Sequence, residues 1–199
     1  RQELHGFWKL LASSTPERAK RGMTGCGGRG QKVVLANFQC FSEYVDGSEA
    51  PTMQTVEVVA DARERSSSIG ALKGDFYLGK LADTGALGVV EEYRRREFDG
   101  QRDLDASLAP VKWSPLFLSE SLRICRVEGD EGVPDSICVY GKQDATTAQG
   151  EIATLLAAPV TVEVDDEAEE AEVIDTRPIW QQRLDKDRFD DVGAGSDIP

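Results

Sequence analysis

The stretch LHGFWKLLASST, residues 4–15, predicts how this chain begins its fold. It places a glycine two positions before a tryptophan at the head of an apolar run, which a Ser/Thr cluster follows. In a small closed barrel the first strand needs a large flat side chain to fill one end. Glycine lets the backbone turn in there without a Cβ clash. We therefore predict that Gly6 and Trp8 close one end of a β-barrel.

An arginine from the last strands is expected to lie across the indole of Trp8. The sequence LRICR offers two candidates, Arg123 and Arg126. Because they alternate onto opposite faces of a strand, only one can meet the ring while the other faces solvent. The alternative is that Trp8 is an ordinary core aromatic residue.

Alternation of apolar and polar residues predicts strands through the body of the chain. The segments that show it are 32–45, 52–62, 86–98, 121–127 and 136–142. Many short strands without interleaved helices favour an antiparallel barrel or sandwich. One helix is predicted over 145–157, before Pro159. Its apolar face is formed by Ala148, Ile152, Leu155 and Leu156.

Charge divides the 199 residues into two predicted domains, a barrel domain over 1–160 and an acidic extension over 161–199. The extension holds 13 acidic and 4 basic side chains, so it cannot bury enough apolar surface to order itself. We expect an extended docking tail that binds a partner. Its expected anchors are Ile179, Trp180, Leu184 and Phe189.

The composition limits the classes of partner. A net charge of −13 speaks against non-specific nucleic-acid binding, which requires a basic surface. No uninterrupted apolar stretch approaches eighteen residues, so the sequence predicts a protein that is not transmembrane.

Residues 5–142 resemble one family at both of their ends. GFWKLLASST (6–15) is similar to the glycine-x-tryptophan-x-leucine-leucine strand, with a following serine pair, that opens the plastid lipid-associated proteins, also called fibrillins. WSPLFLSESLRICRVEGDEGVPDSICVYGK (113–142) resembles their closing hairpin. The chain departs from the family pattern at Ala12, where a tyrosine is usual, and at Val127, where a glycine is expected.

The resemblance implies a lipocalin-like β-barrel without catalytic activity, located in a plastid on thylakoids or plastoglobules. Of these we expect a peripheral position on the thylakoid, on its stromal side, where a basic partner surface could meet the acidic tail. The resemblance implies no required cofactor, but lipophilic ligands such as a lipid, quinone, carotenoid or chlorophyll. A partner complex, expected to be a photosynthetic membrane assembly, is predicted to bind the acidic tail.

Two functions remain open at this point, and the barrel interior distinguishes them. A carrier needs a dry lumen that is open at one end. The expected lining of that lumen is Val34, Phe38, Val56, Val58, Val89 and Ile124. The alternative is a purely structural peripheral subunit of a membrane supercomplex, with a barrel filled by its own side chains.

The residues offer little for catalysis or metal binding. GCGGRG (25–30) fits Gly-x-Gly-x-x-Gly, but a strand rather than a helix is predicted to follow it, so we interpret it as a loop. The single histidine, His5, leaves no second ligand for a His-based site. We predict no catalytic residues and no metal site.

The cysteines show no C-x-x-C spacing, which argues against zinc. A hairpin that turns near Glu131 and Gly132 places Cys125 opposite Cys138. Two thiols, or a disulfide or redox pair, are the alternatives for these neighbours.

Overall fold

A computed structural model describes residues 2–16, 22–24, 31–43, 50–81, 85, 87–103, 109–129 and 134–160 of the chain. The described part is mainly β-structure. Its strands are β1 (Gly6–Ser13), β2 (Lys32–Phe41), β3 (Met53–Asp61), β4 (Ser66–Lys80), β5 (Leu87–Phe98), β6 (Gln101–Asp103), β7 (Val111–Leu118), β8 (Leu122–Val127) and β9 (Ser136–Gln143). A short 3-10 helix, Gln2–Leu4, precedes them, and one α-helix, α1 (Ala145–Ala157), follows them.

Eight of these strands form a closed antiparallel barrel. The order around the ring is β4-β3-β2-β1-β9-β8-β7-β5, and pairing of β5 with β4 closes it. β6 extends the sheet beside β5. When β6 is set aside, barrel strands that follow each other in the chain are neighbours, and β1 pairs with β9. This is the up-and-down arrangement that removes sheet edges by closure. The predicted antiparallel barrel is confirmed.

Four irregularities interrupt the strand pairing of the barrel. Three of them push a leucine out of register, namely Leu11 in β1, Leu35 in β2 and Leu116 in β7. The fourth falls between Lys73 and Gly74 of β4, where β5 carries the extra residue, Arg94. Such β-bulges bend a strand and re-aim the neighbouring side chains.

The helix α1 coincides with the predicted segment and packs on the outside of the barrel. It begins after Asp144, whose side chain accepts a hydrogen bond from the Thr147 backbone N–H at 2.9 Å. Its apolar face packs against β1 and β2. The residues in this outer cluster are Ala36, Phe38 and Ala148, with Phe7, Ile152 and Leu155 partly buried against them.

An ion pair between Lys9 of β1 and Glu151 of α1 ties the helix to the barrel wall. Within the described ranges, no helix is both long and apolar enough to cross a bilayer. The predicted acidic domain, 161–199, lies outside the described residues, as does the GCGGRG segment.

Candidate functional site

The first strand and the short 3-10 helix both contribute side chains to the interior cluster of the barrel. Trp8 is fully buried, and its indole N–H donates to the Leu4 carbonyl oxygen at 2.7 Å. Gly6 has a φ of +114°, and a Cβ at this position would lie 2.9 Å from the Lys142 Cε atom. The backbone therefore requires glycine where the chain enters the barrel.

Arg123 is the arginine that lies over Trp8. Its guanidinium carbon is 5.3 Å from the centroid of that ring, and Arg123 itself is fully buried. Arg126, by contrast, is exposed. Alternation along β8 explains the difference, because residues three apart on a strand face opposite sides.

Four aromatic rings surround the Arg123 guanidinium. The distances from its carbon to the ring centroids are 5.3 Å for Trp8, 5.2 Å for Phe41, 4.9 Å for Trp113 and 4.0 Å for Tyr140. Nη2 donates to the Gln39 side-chain oxygen. Nε and Nη1 have no hydrogen-bond partner among the described residues. Cation–π attraction to these rings therefore helps to offset the cost of burying this charge.

Glu91 places a buried carboxylate in the same interior. It accepts hydrogen bonds from the Trp113 indole N–H and the Tyr93 hydroxyl, both at 2.7 Å. Tyr93 also lies 3.2 Å from the Thr55 hydroxyl. Burial, and then the charge of Glu91, raise the pKa of Tyr93 well above its usual value, so the phenol stays a donor to the carboxylate.

A second buried carboxylate, Glu57, anchors a loop inside the barrel. It accepts from the backbone N–H groups of Met23 at 2.6 Å and Thr24 at 3.0 Å, and from the Asn37 side-chain amide at 2.6 Å. Gly22 approaches so closely that a Cβ there would lie 2.4 Å from a Glu57 oxygen. The side chain of Met23 packs against the interior cluster. The segment 22–24 therefore fills interior space.

Among the residues that the structure describes, one small cavity lies beside these side chains. A cavity next to Glu57 has a volume of about 10 Å³. Its lining is Leu10, Ser13, Gly22, Met23, Asn37, Glu57, Cys138 and Tyr140. A cavity of this size has room for about one water molecule at most.

The six residues expected to line a lumen fall on two different faces. Val89 belongs to the buried interior cluster, as expected. Val34 pairs with Val59, which shares the inner face of β3 with Glu57 by strand alternation. The assignment of Phe38 to the lumen is wrong, because Phe38 packs in the outer cluster under α1.

Register corrects three further lumen assignments. Val56 pairs with Phe38, and Val58 pairs with Ala36, so both share the outer face. Ile124 alternates with the buried Arg123 on β8 and faces outward as well. The predicted alternation of β2 holds from Ala36 to Phe41, where Asn37 and Gln39 point inward, but the bulge at Leu35 interrupts it and places Val34 on the inner face.

The polar inner residues Asn37, Gln39, Glu57 and Glu91 were not predicted as site residues. The available signal was their position in the strand alternation, because each of them alternates with residues of the outer face along its strand. The same alternation is typical of a solvated strand face, so the sequence favoured the wrong side.

Cys125 and Cys138 lie directly opposite each other on β8 and β9, which confirms their predicted adjacency. Both are buried in the interior cluster and carry thiols. Cys40 is partly buried, and burial raises the pKa of its thiol. Cys26 lies outside the described residues.

The outer wall opposite these core residues carries an apolar row across four strands. Ala12 pairs with Val139, Val139 with Ile124, and Ile124 with Phe117. Phe117 is 50% exposed. The bulge residues Leu11 and Leu116, 58% and 55% exposed, come from the outermost of the four strands.

The four expected anchors of the acidic tail cannot be placed against this wall. Ile179, Trp180, Leu184 and Phe189 all lie outside the described residues. Comparison with known proteins assigns no role to any of these features. No family model matches the sequence, and no curated protein shows significant similarity to it.

Proposed function

We propose that this chain is a non-catalytic, fibrillin-like barrel protein that acts as a structural peripheral subunit of a membrane protein complex. The observation that carries the proposal is that buried side chains occupy the part of the barrel interior that the structure describes. Aromatic rings, a buried arginine and two buried carboxylates occupy the space that a carrier would leave for its ligand.

The interior suits a rigid scaffold better than a carrier. Pockets that enclose small molecules typically have volumes of about 300–1,000 Å³ and mostly apolar walls. The cavity beside Glu57 is about 10 Å³. An incoming lipid would have to displace Met23 or the Trp8–Arg123 stack, and it would leave Glu57 or Arg123 without compensation.

The outer apolar row supports a docking role. Contiguous exposed apolar surface marks interaction sites more often than scattered single residues do. Phe117 and Leu116 are the natural anchors here, because aromatic and aliphatic groups that fill pockets dominate interface energies. The partner surface should offer apolar pockets.

The partner and its location follow from the sequence rather than from the barrel. The fibrillin resemblance favours a photosynthetic complex, with this chain on the stromal side of the thylakoid. The tail, with a net charge of −9, favours a partner with basic surface around apolar pockets. In this proposal the barrel wall and the tail bind the same complex.

Comigration with solubilised thylakoid complexes on a density gradient tests this function. We expect the full chain to comigrate and a chain truncated after Pro159 to lose most of that binding. Phe117→Ser should weaken comigration, whereas the control Leu78→Ser should not, since Leu78 is 49% exposed but lies on β4, away from the row.

Extraction of the purified protein with organic solvent, followed by mass spectrometry, tests the carrier alternative. The proposal expects no lipophilic molecule at a stoichiometric ratio. Recovery of about one quinone, carotenoid, chlorophyll or lipid per chain would replace the scaffold with a carrier. Full comigration of a truncated chain that also carries Phe117→Ser would show that neither the tail nor the outer apolar row docks on the complex.

A further inference from the structure

A basic pocket lies on the outer face of β4, β5 and β6, away from the apolar row. Its volume is about 190 Å³. Its lining residues are Pro51, Lys73, Gly74, Arg94, Arg95 and Arg102. Four of the six are basic in a chain whose net charge is −13, so the cations are concentrated here against the overall charge.

Strand register explains why these side chains converge. Lys73 of β4 is directly opposite Arg95 of β5, and Arg102 of β6 is directly opposite Glu97. The irregularity beside Gly74 adds Arg94 as an extra residue next to this pair. Like charges that face each other across strands destabilise a sheet unless an anion lies between them.

Among the residues that the structure describes, two carboxylates form ion pairs with the basic side chains of the pocket. Glu97 pairs with Lys73 at 2.5 Å and with Arg95 at 2.8 Å, and Asp75 pairs with Arg94. Arg102 is exposed and forms no ion pair with any residue that the structure describes. Counted over these described side chains alone, four cations and two carboxylates leave a charge of +2.

Within the described ranges, another carboxylate lies close by but is engaged elsewhere. Glu92 is directly opposite Asp75, and it accepts a hydrogen bond from the Tyr77 hydroxyl at 2.9 Å. It does not line the pocket. The uncompensated charge therefore faces the pocket itself.

We propose that this pocket binds a phosphate-type or sulfate-type oxyanion, either free or as the headgroup of an anionic lipid. Guanidinium groups present planar forks of donors that match such oxygens, and three arginines line this pocket. The pocket volume is several times the roughly 30 Å³ that one water molecule occupies in the liquid, so an anion of several atoms fits.

Calorimetric titration with inorganic phosphate at constant ionic strength tests the site. Arg102→Gln should weaken binding about fivefold, the size expected for one partly screened charge. Arg126→Gln removes the same charge from an exposed position on β8 and should leave the affinity unchanged. Glu97→Gln removes a competing carboxylate and should tighten binding about fivefold.

Arg102→Gln should lower the phosphate affinity and Glu97→Gln should raise it. These opposite changes separate ligand binding from a structural role, because a substitution that only loosened the fold would not raise the affinity. Equal effects of Arg102→Gln and Arg126→Gln, or binding no stronger than that of chloride, would overturn the site. Vesicles of phosphatidylcholine with and without phosphatidylglycerol identify the source. A preference for phosphatidylglycerol that Arg102→Gln abolishes assigns a lipid headgroup, and phosphate binding without that preference assigns a soluble oxyanion.

Discussion

The inside of the barrel and its outer wall under α1 are both buried, but they are built from different chemistry. Inside, the charges of Arg123, Glu57 and Glu91 are enclosed among aromatic rings and amides. Under the helix, Ala36 and Phe38 meet a plain apolar surface. One strand, β2, supplies side chains to both regions.

The difference shows that an apolar strand face need not be the inner face of a barrel. The buried polar groups of the interior bind one another, so inward amides such as Asn37 and Gln39 are required there. The helix makes a second dry layer outside, where no polar partner is needed. Burial in this barrel is therefore two-sided along β1 and β2.

Replacement of Trp8 by alanine should have the largest effect of the substitutions that compare these regions. It removes a fully buried ring, one wall of the Arg123 enclosure and the hydrogen bond to Leu4. We expect the free energy of unfolding to fall by about 3–5 kcal/mol, the usual range for deleting a large buried aromatic residue. Urea denaturation measures it.

Trp8→Phe is the matched control, since it keeps a ring against Arg123 and loses the indole N–H. It should be clearly more stable than Trp8→Ala. An alanine variant that unfolds at the wild-type urea concentration would contradict the idea that Trp8 closes the barrel.

Local patterns predicted an antiparallel barrel or sandwich, the helix over 145–157 and the candidates for the Trp8 contact, but they missed the strands β4 and β7. Strand periodicity, turn residues and the ends of the chain carry that information over short distances. The adjacency of Cys125 and Cys138 also followed from a single hairpin register. None of these inferences requires knowledge of which sheet face is enclosed.

Local patterns could not show which face of each strand points into the barrel. That choice determines which residues form the candidate site. Glu57 is enclosed because the segment 22–24, about thirty residues earlier in the chain, brings its backbone N–H groups to the carboxylate. Phe38 is outside because α1, more than a hundred residues later, covers it. Both causes are tertiary contacts with no local sequence pattern.

Replacement of Phe38 by alanine tests whether the outer cluster acts as a second core. Phe38 is buried against Ala36 and Ala148, so its loss should destabilise the fold. We expect about 2–4 kcal/mol, less than for Trp8, because a helix on the surface can settle into part of the space that an interior cavity would keep.

Thermal and urea unfolding of Phe38→Ala, compared with Leu35→Ala, measures this contribution. Leu35 is the exposed neighbour at the β2 bulge and should change stability little. Equal effects of the two variants would mean that the outer cluster adds nothing to stability. The barrel interior would then be the only one of the two regions that acts as a core.

The smallest expected effect concerns the ion pair that joins the two layers. The pKa of Glu151 lies below its usual value of 4.5. The main cause is the hydrogen bond from Lys9, which outweighs the smaller, opposite effect of burial. The folded state therefore binds fewer protons than the unfolded state near this pH, so the pair stabilises the fold above pH 4.5. This contribution is lost as the pH falls through the folded-state pKa.

Glu151→Gln isolates that contribution, because it removes the titrating group and keeps the side-chain shape. We expect wild type to exceed the variant by up to about 1 kcal/mol near pH 6, as for a partly exposed pair. The difference should shrink below pH 4.5 and vanish once the carboxyl is protonated in both states. Glu120→Gln, at an exposed position before β8, controls for the loss of one negative charge.

Urea midpoints measured from pH 6 to pH 3 test this expectation. A difference between wild type and Glu151→Gln that stays constant over that interval would show that Glu151 contributes by packing alone. In that case α1 would be held to the barrel by the outer apolar cluster without electrostatic help.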